Sequence, residues 1–284
     1  MTLRITYLGT LKSCNYDCKY CPFAISSATR EELAHDEQAL NRFSDWLLEQ
    51  SWCKLSLLFA PRGEALIWPH YQRTLLSLSC SEQVNNITIQ TNLSGQLNWL
   101  TASKQKKISL WCTYHPEQTT LPNFLKKLSE LDQMGIIYSV GIVGTKEHYD
   151  SAQSLRMRMN PDRYLWANAY KDVKDYYNEA EIDAWTKIDP LFRLNLYNYQ
   201  NYDQPCDAGE QAVTIDGSGD LYRCNLIKKS LGNIYRQDIR KLLAPRPCSR
   251  PTCDCYVGYI NIRTLNMKSI YGDNLLARIP SDIL

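Results

Sequence analysis

The sequence has no long apolar run and almost no net charge. No apolar stretch reaches the roughly 18 residues that span a bilayer. The N-terminal stretch, residues 1–8, is too short and too polar for a signal peptide. The 32 Lys and Arg residues nearly balance the 30 Asp and Glu residues, so the formal net charge is only +2. A charge this small gives no electrostatic reason to expect nucleic acid as the main partner. These absences predict a globular cytoplasmic protein with no membrane partner.

What the sequence does contain is cysteine, with 11 among 284 residues. In a chain expected to be cytoplasmic, so many cysteines do not predict a disulfide framework. Three lie near the N-terminus, five follow residue 205, and Cys53, Cys80 and Cys112 lie between, where Cys53 and Cys112 fit small buried apolar positions. Two separate groups of thiols predict two metal sites. The chain length suits one large domain with a small appendage.

The first group of thiols lies in residues 13–23, which we call the cysteine loop (Ser-Cys-Asn-Tyr-Asp-Cys-Lys-Tyr-Cys-Pro-Phe). Its cysteines, Cys14, Cys18 and Cys21, have the spacing C-x3-C-x2-C, and Tyr20 precedes the third. Three thiolates from one tight loop can hold three irons of a 4Fe-4S cube and leave the fourth iron open to a substrate or cofactor. The alternatives are a zinc knuckle, which needs a second half-site, and a redox pair, which needs only two thiols.

This loop resembles the signature of the radical S-adenosylmethionine (radical SAM) enzymes. The resemblance implies that the open iron chelates the methionine end of SAM, and that one-electron reduction releases a 5′-deoxyadenosyl radical. It also implies that Tyr20 packs beside the adenine. An electron donor such as flavodoxin or ferredoxin is a further expected partner.

Short β-branched runs alternate with helical patterns from residue 2 to about residue 170, which is typical of βα units. Six strands are predicted, at residues 3–8, 54–59, 86–90, 107–113, 136–143 and 164–169. Six units are too few for a closed eight-stranded barrel. They suit the open partial (βα)6 barrel, an α/β fold, that the resemblance implies. We expect this core to span residues 1–200 and an auxiliary module to span residues 201–284.

Barrel folds place their chemistry in the loops that follow the strands, and Arg62-Gly63-Glu64-Ala65 follows the second strand. The segment stands where the family usually has Gly-Gly-Glu-Pro. By resemblance, Gly63 lets the backbone approach the cofactor and Glu64 binds the ammonium group of SAM. An ammonium group needs a fixed carboxylate in a partly dry pocket. A surface turn is the alternative interpretation, and Arg62 in place of glycine leaves its own contact undefined.

Further candidate cofactor contacts follow later strands. Thr91 and Asn92 resemble the family's Thr-Asn-Gly turn, which implies contact with the SAM ribose or carboxylate. Gly144 lies within residues 141–147, a segment similar to the family's glycine-rich segment beside the adenine, although its spacing is one residue short. His115 and Asn168 are candidate polar contacts at the barrel mouth. Each also fits an ordinary strand-ending turn or cap. The other histidines are expected to be solvated: His35, His70 and His148.

The second group of thiols begins with a predicted hairpin. Asp216-Gly217 between two extended runs is a strong hairpin signal, and the hairpin brings Cys206 and Cys224 to the same end. The pattern Cys-x12-Gly-x4-Cys resembles the SPASM/twitch extension of radical SAM enzymes, which holds auxiliary 4Fe-4S clusters. Full SPASM domains have seven cysteines and two clusters, so five imply one cluster of the twitch type. A zinc ribbon is the alternative. Which two residues complete the ligand set stays open among Cys248, Cys253 and Cys255.

Two classes of function fit these motifs. The first is an enzyme that cleaves SAM reductively and abstracts hydrogen from a peptide, a protein or a small molecule, with peptide or protein modification favoured. The second is a non-catalytic iron–sulfur electron carrier or metal-stabilised binding protein. A carrier needs neither a three-cysteine loop at a barrel mouth nor Glu64, so the enzyme is predicted. Because the cysteine loop begins so early in the chain, we expect a separate protein to present any peptide substrate.

Overall fold

The computed structural model describes residues 2–21, 23, 27–102 and 107–283. Within this part of the chain, no helix is both long and apolar enough to cross a membrane. The strands are β1 Thr2–Gly9, β2 Lys54–Phe59, β3 Val84–Thr91, β4 Ile108–Tyr114, β5 Ile137–Gly144, β6 Leu165–Ala169, β7 Tyr199–Gln200, β8 Ala212–Asp216, β9 Asp220–Tyr222, β10 Ser230–Asn233 and β11 Thr252–Cys253. The α-helices are α1 Arg30–Leu48, α2 Pro69–Ser79, α3 Leu121–Gln133, α4 Tyr149–Arg158, α5 Glu179–Ile188, α6 Phe192–Leu196, α7 Tyr256–Tyr259 and α8 Lys268–Tyr271.

Six parallel strands lie side by side in the order of the sequence, from β1 to β6. The other edge of β1 pairs with β8, also in parallel, and β9 and β10 follow as antiparallel strands. The full order is therefore β10-β9-β8-β1-β2-β3-β4-β5-β6, and no pairing among the described strands joins β6 to β10. The predicted open partial (βα)6 barrel is confirmed.

The outer face of the sheet packs against the helices. Alternate strand residues point to opposite faces, and the outward set, which includes Ile5, Leu57 and Leu110, is fully buried in the main core. Helix α1 begins at a capping box in which Thr29 and Glu32 bond each other's backbone N–H groups. Helix α3 begins at Thr120, whose hydroxyl accepts from the Asn123 N–H. The bounds predicted for the first six strands agree with β1 to β6 to within two residues.

The inner face of the sheet is filled by the C-terminal segment. Trp111 and Trp166 point into the barrel, where they join a second core with residues of α7, α8 and Leu275–Leu276. A Cβ on Gly141 would lie 2.0 Å from the Trp166 ring, so only glycine lets that indole cross β5. This segment shows no motif in the sequence, yet its burial closes the N-terminal end of the barrel interior.

Arg278 lies at the centre of this second core and is 1% exposed. Its guanidinium carbon lies 4.2, 4.4 and 5.6 Å from the ring centroids of Trp166, Tyr256 and Trp111. Its Nη2 donates to the Asn195 side-chain oxygen over 2.5 Å. Cation–π contacts and a hydrogen bond thus offset part of the cost of burying the charge.

The residues after β6 form two helices, α5 and α6, and then the region of the second thiol group. The predicted hairpin is present as β8 and β9, which pair antiparallel. Strands β7 and β11 form a separate two-stranded sheet, and Cys206 forms an isolated bridge with Ile262. Because β8 belongs to the same sheet as β1, this region is built directly onto the barrel. A module boundary at residue 200 stays a prediction.

Candidate functional site

The cysteine loop leaves the C-terminal end of β1, where Gly9 has a φ of +64°. Cys18 is buried, and Cys14 and Cys21 are half-buried. Pro22, within the motif, lies outside the described residues. The loop contacts the turns after β2, β3 and β4, so the structure places it at the face where barrel folds carry their chemistry.

The first contact is with the turn after β2. The Glu64 N–H donates to the carbonyl oxygen of Ser13 over 2.9 Å. A Cβ on Gly63 would lie 1.9 Å from that same oxygen, so any side chain at this position would displace the loop. Gly63 therefore permits a close backbone approach, and the partner that the structure shows is the cysteine loop.

Glu64 lies beneath this contact and is 2% exposed. Its Oε1 accepts from the Thr91 hydroxyl over 2.8 Å and from the Leu66 N–H over 3.0 Å. Its Oε2 accepts from the Asn92 N–H over 2.5 Å. Burial raises the pKa of Glu64 to about 7, and these three donors act in the opposite direction. Each carboxylate oxygen can accept two hydrogen bonds, so Oε2 keeps one acceptor position beyond those bonds.

The second contact is with the turn after β3. The Asn92 amide donates to Asn15 Oδ1 over 3.0 Å and lies 3.8 Å from Cys14 Sγ. Asn15 in turn donates to the Ser94 hydroxyl over 3.0 Å. Thr91 and Asn92 thus link Glu64 to the first cysteine of the loop. The structure brings the predicted residues of the β2 and β3 turns together.

The third contact is with the turn after β4. His115 Nδ1 lies 2.8 Å from the Tyr20 hydroxyl and 3.4 Å from Cys18 Sγ. The rings of Tyr20 and His115 are parallel, with centroids 5.9 Å apart. Gln118 exchanges two hydrogen bonds of 3.0 Å with the backbone of Asp17. Burial, together with the nearby charge of His148, lowers the pKa of His115 to about 4, so the imidazole is neutral at pH 7.

The predictions for the remaining histidines agree with the structure for one residue and disagree for two. His35 is exposed, as predicted. His70 and His148 are buried, so the prediction that they are solvated was wrong. His70 bonds the buried carboxylate of Asp36 over 3.1 Å, and His148 Nδ1 lies 3.0 Å from the Val143 carbonyl oxygen. Asp36 is distant from His70 in the sequence, and Val143 lies in β5, outside the segment that contains His148. No local sequence pattern reveals either contact.

Gly144 and Asn168 lie further round the same face. The Gly144 carbonyl accepts a hydrogen bond from the Tyr177 hydroxyl, which also accepts from the Tyr170 N–H over 2.8 Å. Asn168 is exposed and lies opposite Val143 in the β5–β6 register. Asn168 therefore lies at the barrel mouth two strands beyond His115, whereas a Cβ on Gly144 would face Tyr177 and Phe192 of the main core.

The three thiols of the cysteine loop interact with one another. The pKa of Cys18 is raised to about 11, mainly by burial and also by the thiolates of Cys14 and Cys21, while a hydrogen bond from Tyr20 acts in the opposite direction. Bound cations reverse such shifts by deprotonating their thiol ligands. No three His, Cys, Asp or Glu side chains in the described ranges converge on one metal ion. In a 4Fe-4S cube each thiol binds a different iron, so the thiols do not have to converge on one metal ion. The three thiols of the cysteine loop are therefore chemically suitable ligands for a 4Fe-4S cluster.

The second group of thiols is also gathered in space. Cys206, Cys248 and Cys253 are buried, and Cys224 and Cys255 are half-buried. The pKa of Cys253 is raised to about 12, first by burial and then by the thiolates of Cys224, Cys255 and Cys206. The charge of Cys248 likewise raises the pKa values of Cys206 and Cys224, after burial. All five thiols thus lie in one electrostatically coupled cluster.

The sequence matches no known family model and no curated protein. Solved structures are similar in fold. Native anSMEcpe with bound AdoMet is 13% identical, with a TM-score of 0.57 over 84% of this chain and 80% of that one. Streptococcus suis SuiB bound to S-adenosylmethionine is 15% identical, with a TM-score of 0.53 over 85% of this chain and 65% of that one. SuiB bound to the precursor peptide SuiA gives 14% identity, a TM-score of 0.53, and coverages of 85% and 64%. At these identities the likeness establishes a shared fold.

Proposed function

The chain has the fold of the radical SAM enzymes, and on this premise we propose that it is an enzyme that cleaves SAM reductively and abstracts hydrogen from a substrate. The observation that carries the proposal is the cysteine loop, which is fixed over the ends of β2, β3 and β4. Bound 4Fe-4S cluster and SAM would together supply a 5′-deoxyadenosyl radical. The chain itself would hold these groups, orient them and exclude water.

Cys14, Cys18 and Cys21 would ligate the cluster and leave one iron open. Glu64 would accept a hydrogen bond from the ammonium group of SAM at the remaining acceptor position of Oε2. Further contacts to SAM would come from residues around the barrel mouth, in the roles implied by the resemblance: Tyr20, Gly63, Thr91, Asn92, His115, Gly144 and Asn168.

For the auxiliary 4Fe-4S cluster we propose Cys206, Cys224, Cys248 and Cys253 as ligands. Three of these thiols are buried, and their charges act on one another. Cys255, which is half-buried like Cys224, differs in that its sulfur lies 3.8 Å from the Asn225 amide. It would be the fifth thiol, beside the cluster and outside its ligand set.

The substrate we propose is a side chain of a peptide or protein. Side chains alternate between the two faces of the sheet, so one side chain at the C-terminal end of each of the first six strands points to the inner face. All six side chains are uncharged and half-buried or exposed. They are Leu8, Ala60 (directly after β2), Gln90, Thr113, Val143 and Asn168. An uncharged wall suits a neutral side chain better than a phosphorylated small molecule. Two structures with this fold contain peptides, SuiA in SuiB and Kp18Cys in anSMEcpe.

The proposal is tested by anaerobic reconstitution with iron and sulfide, followed by reduction in the presence of SAM. We expect about eight irons per chain, as two 4Fe-4S clusters, and formation of 5′-deoxyadenosine. A flavodoxin or ferredoxin is the expected physiological donor, and dithionite can replace it in the assay. Iron binding without 5′-deoxyadenosine would instead support an electron carrier.

Glu64→Gln should weaken SAM binding by about ten- to hundred-fold, because a hydrogen bond to a charged group contributes roughly 1.5–3 kcal/mol. Burial raises the pKa of Glu64 to about 7, so in the wild type a growing fraction of this side chain is protonated as the pH falls from 7 to 6. A protonated carboxyl must release its proton before it can pair with an ammonium group. Wild-type affinity should therefore fall over this range more than that of Glu64→Gln, as measured by equilibrium dialysis.

The matched control is Glu82→Gln, which changes an exposed carboxylate at the opposite end of the strands. It should leave SAM affinity unchanged. Glu64 also bonds the β3 turn, so the melting temperature and the iron content are recorded for both variants. Unchanged SAM affinity in a folded, iron-loaded Glu64→Gln protein would limit Glu64 to bracing that turn.

A further inference from the structure

Cys18 is the most buried thiol of the cysteine loop, with 7% of its surface exposed, and it has two polar neighbours. His115 Nδ1 lies 3.4 Å from its sulfur, and the Tyr20 hydroxyl lies 2.8 Å from the same nitrogen. A thiolate that ligates iron carries no proton, so it can only accept hydrogen bonds. The two groups that can donate in this triad are the imidazole N–H and the phenol O–H.

We propose that His115 is a positioning residue for the cluster: in the Nδ1–H tautomer its N–H is shared between the Tyr20 oxygen, at 2.8 Å, and the Cys18 sulfur, at 3.4 Å, and the bond to sulfur raises the reduction potential of the cluster. This inference rests on the proposed function, because it requires a cluster on the cysteine loop. It gives His115 a role toward the iron site that differs from the SAM contact implied by the resemblance.

The physical basis is the charge of the reduced cluster. Reduction adds one electron, which comes from the flavodoxin or ferredoxin donor, and no bond is made or broken in this step. A hydrogen bond to a ligand sulfur stabilises the additional negative charge, and such bonds are among the features that set cluster potentials. A cluster with this bond is therefore easier to reduce than one without it.

His115 is well placed to hold this bond, because it is fixed on several sides. It directly follows β4, and its ring lies parallel to that of Tyr20 and edge-on to that of Tyr16, with centroids 5.9 and 5.8 Å away. His148 packs edge-on against Tyr20 at 5.1 Å. Near Cys14 the donors are the Tyr16 backbone N–H, at 3.4 Å, and the Asn92 side-chain amide, at 3.8 Å. Of the two side-chain contacts, the one between His115 and Cys18 is the shorter.

Three variants of His115 distinguish a donor from a space-filling ring. His115→Asn places an amide N–H near the position of Nδ1, and His115→Gln places one near the position of Nε2. His115→Leu has no hydrogen-bond donor. In a redox titration followed by electron paramagnetic resonance without SAM, Leu and Gln should make reduction of the loop cluster about tenfold less favourable, which is 59 mV for one electron. Asn should restore most of this loss. The auxiliary cluster in the same sample should keep its potential, and the iron content should stay at the wild-type value.

An unchanged potential in both the Leu and Gln variants would overturn the inference, as would an equal shift of both clusters. If Tyr20→Phe reproduces the shift and His115→Leu does not, the phenol is the donor and the assignment to His115 is wrong. If the Leu variant does not load iron, the comparison of Asn with Gln decides. Failure of the proposed function gives a different result: the wild-type loop then holds no cluster and there is no potential to measure.

Discussion

Replacing Cys14, Cys18 and Cys21 together with Ala should remove about half of the bound iron and all 5′-deoxyadenosine formation. The three thiols lie in one loop and interact with one another, so they should lose their iron as a unit. The second thiol group is held by β7, β8 and β11 and by the bridge of Cys206 with Ile262. Its iron should therefore remain. Iron and sulfide analysis of the reconstituted protein, with chromatographic detection of 5′-deoxyadenosine, measures both effects.

The control for this experiment is Cys80→Ala, which removes an exposed thiol at the C-terminal end of α2. It should keep the full iron content and the full rate of SAM cleavage. Loss of all iron from the triple variant would show that the two thiol groups are not independent sites. Loss of none would show that the cysteine loop does not hold a cluster.

The strands β1 to β6 and the β8–β9 hairpin were predictable because each depends on residues close in sequence. A run such as Leu55–Phe59 is apolar at nearly every position because it packs on both faces of a parallel sheet. Helix α1 combines an apolar stripe with a capping box at Thr29. The cysteine loop was also visible in the sequence, because its three cysteines lie within eight consecutive residues. Such signals fixed the fold class and the location of the candidate site.

The details of the site depend on contacts between distant residues, and these were not predictable. Gly63 is adjacent to a conspicuous Glu64, but its close approach to Ser13 arises only when the turn after β2 meets the loop. The contact of His115 with Cys18 joins residues 97 positions apart. A sequence shows that such residues exist, and the register of the sheet determines which of them meet.

The C-terminal segment shows the same limit more strongly. Its residues are surrounded by the barrel interior on several sides, so they have no regular polar face and no periodicity to detect. Arg278 looks in the sequence like an ordinary basic surface residue. In the structure it is buried among Trp111, Trp166 and Tyr256, and Ala277 accepts a hydrogen bond from the Ser139 hydroxyl over 2.8 Å. This segment fills the inner face of the sheet around Trp111 and Trp166, which the sequence did not reveal.

Replacing Cys206 and Cys224 with Ala should abolish conversion of the peptide that the wild-type protein modifies, while slow formation of 5′-deoxyadenosine continues. A cluster held by four protein thiolates has no open iron for SAM, so its loss should leave SAM cleavage in place. It can still exchange electrons at a potential set by burial and by hydrogen bonds to its sulfurs. The measurement is the ratio of modified peptide to 5′-deoxyadenosine, which should fall from near unity to the detection limit.

Folding must be separated from catalysis in this variant, because Cys206 and Cys224 flank a hairpin whose first strand, β8, pairs with β1. Circular dichroism should remain that of the wild type, and the iron content should fall to about four per chain. Cys255→Ala provides the matched control. It removes a half-buried thiol of the same cluster of five, yet four proposed ligands remain, so the chain should keep about eight irons. If that variant loses the auxiliary iron, Cys255 is a ligand and the assignment of Cys253 or Cys248 must change. If the folded double variant still converts its substrate at the wild-type rate, the auxiliary cluster takes no part in turnover and serves only to brace β8 and its hairpin against the barrel.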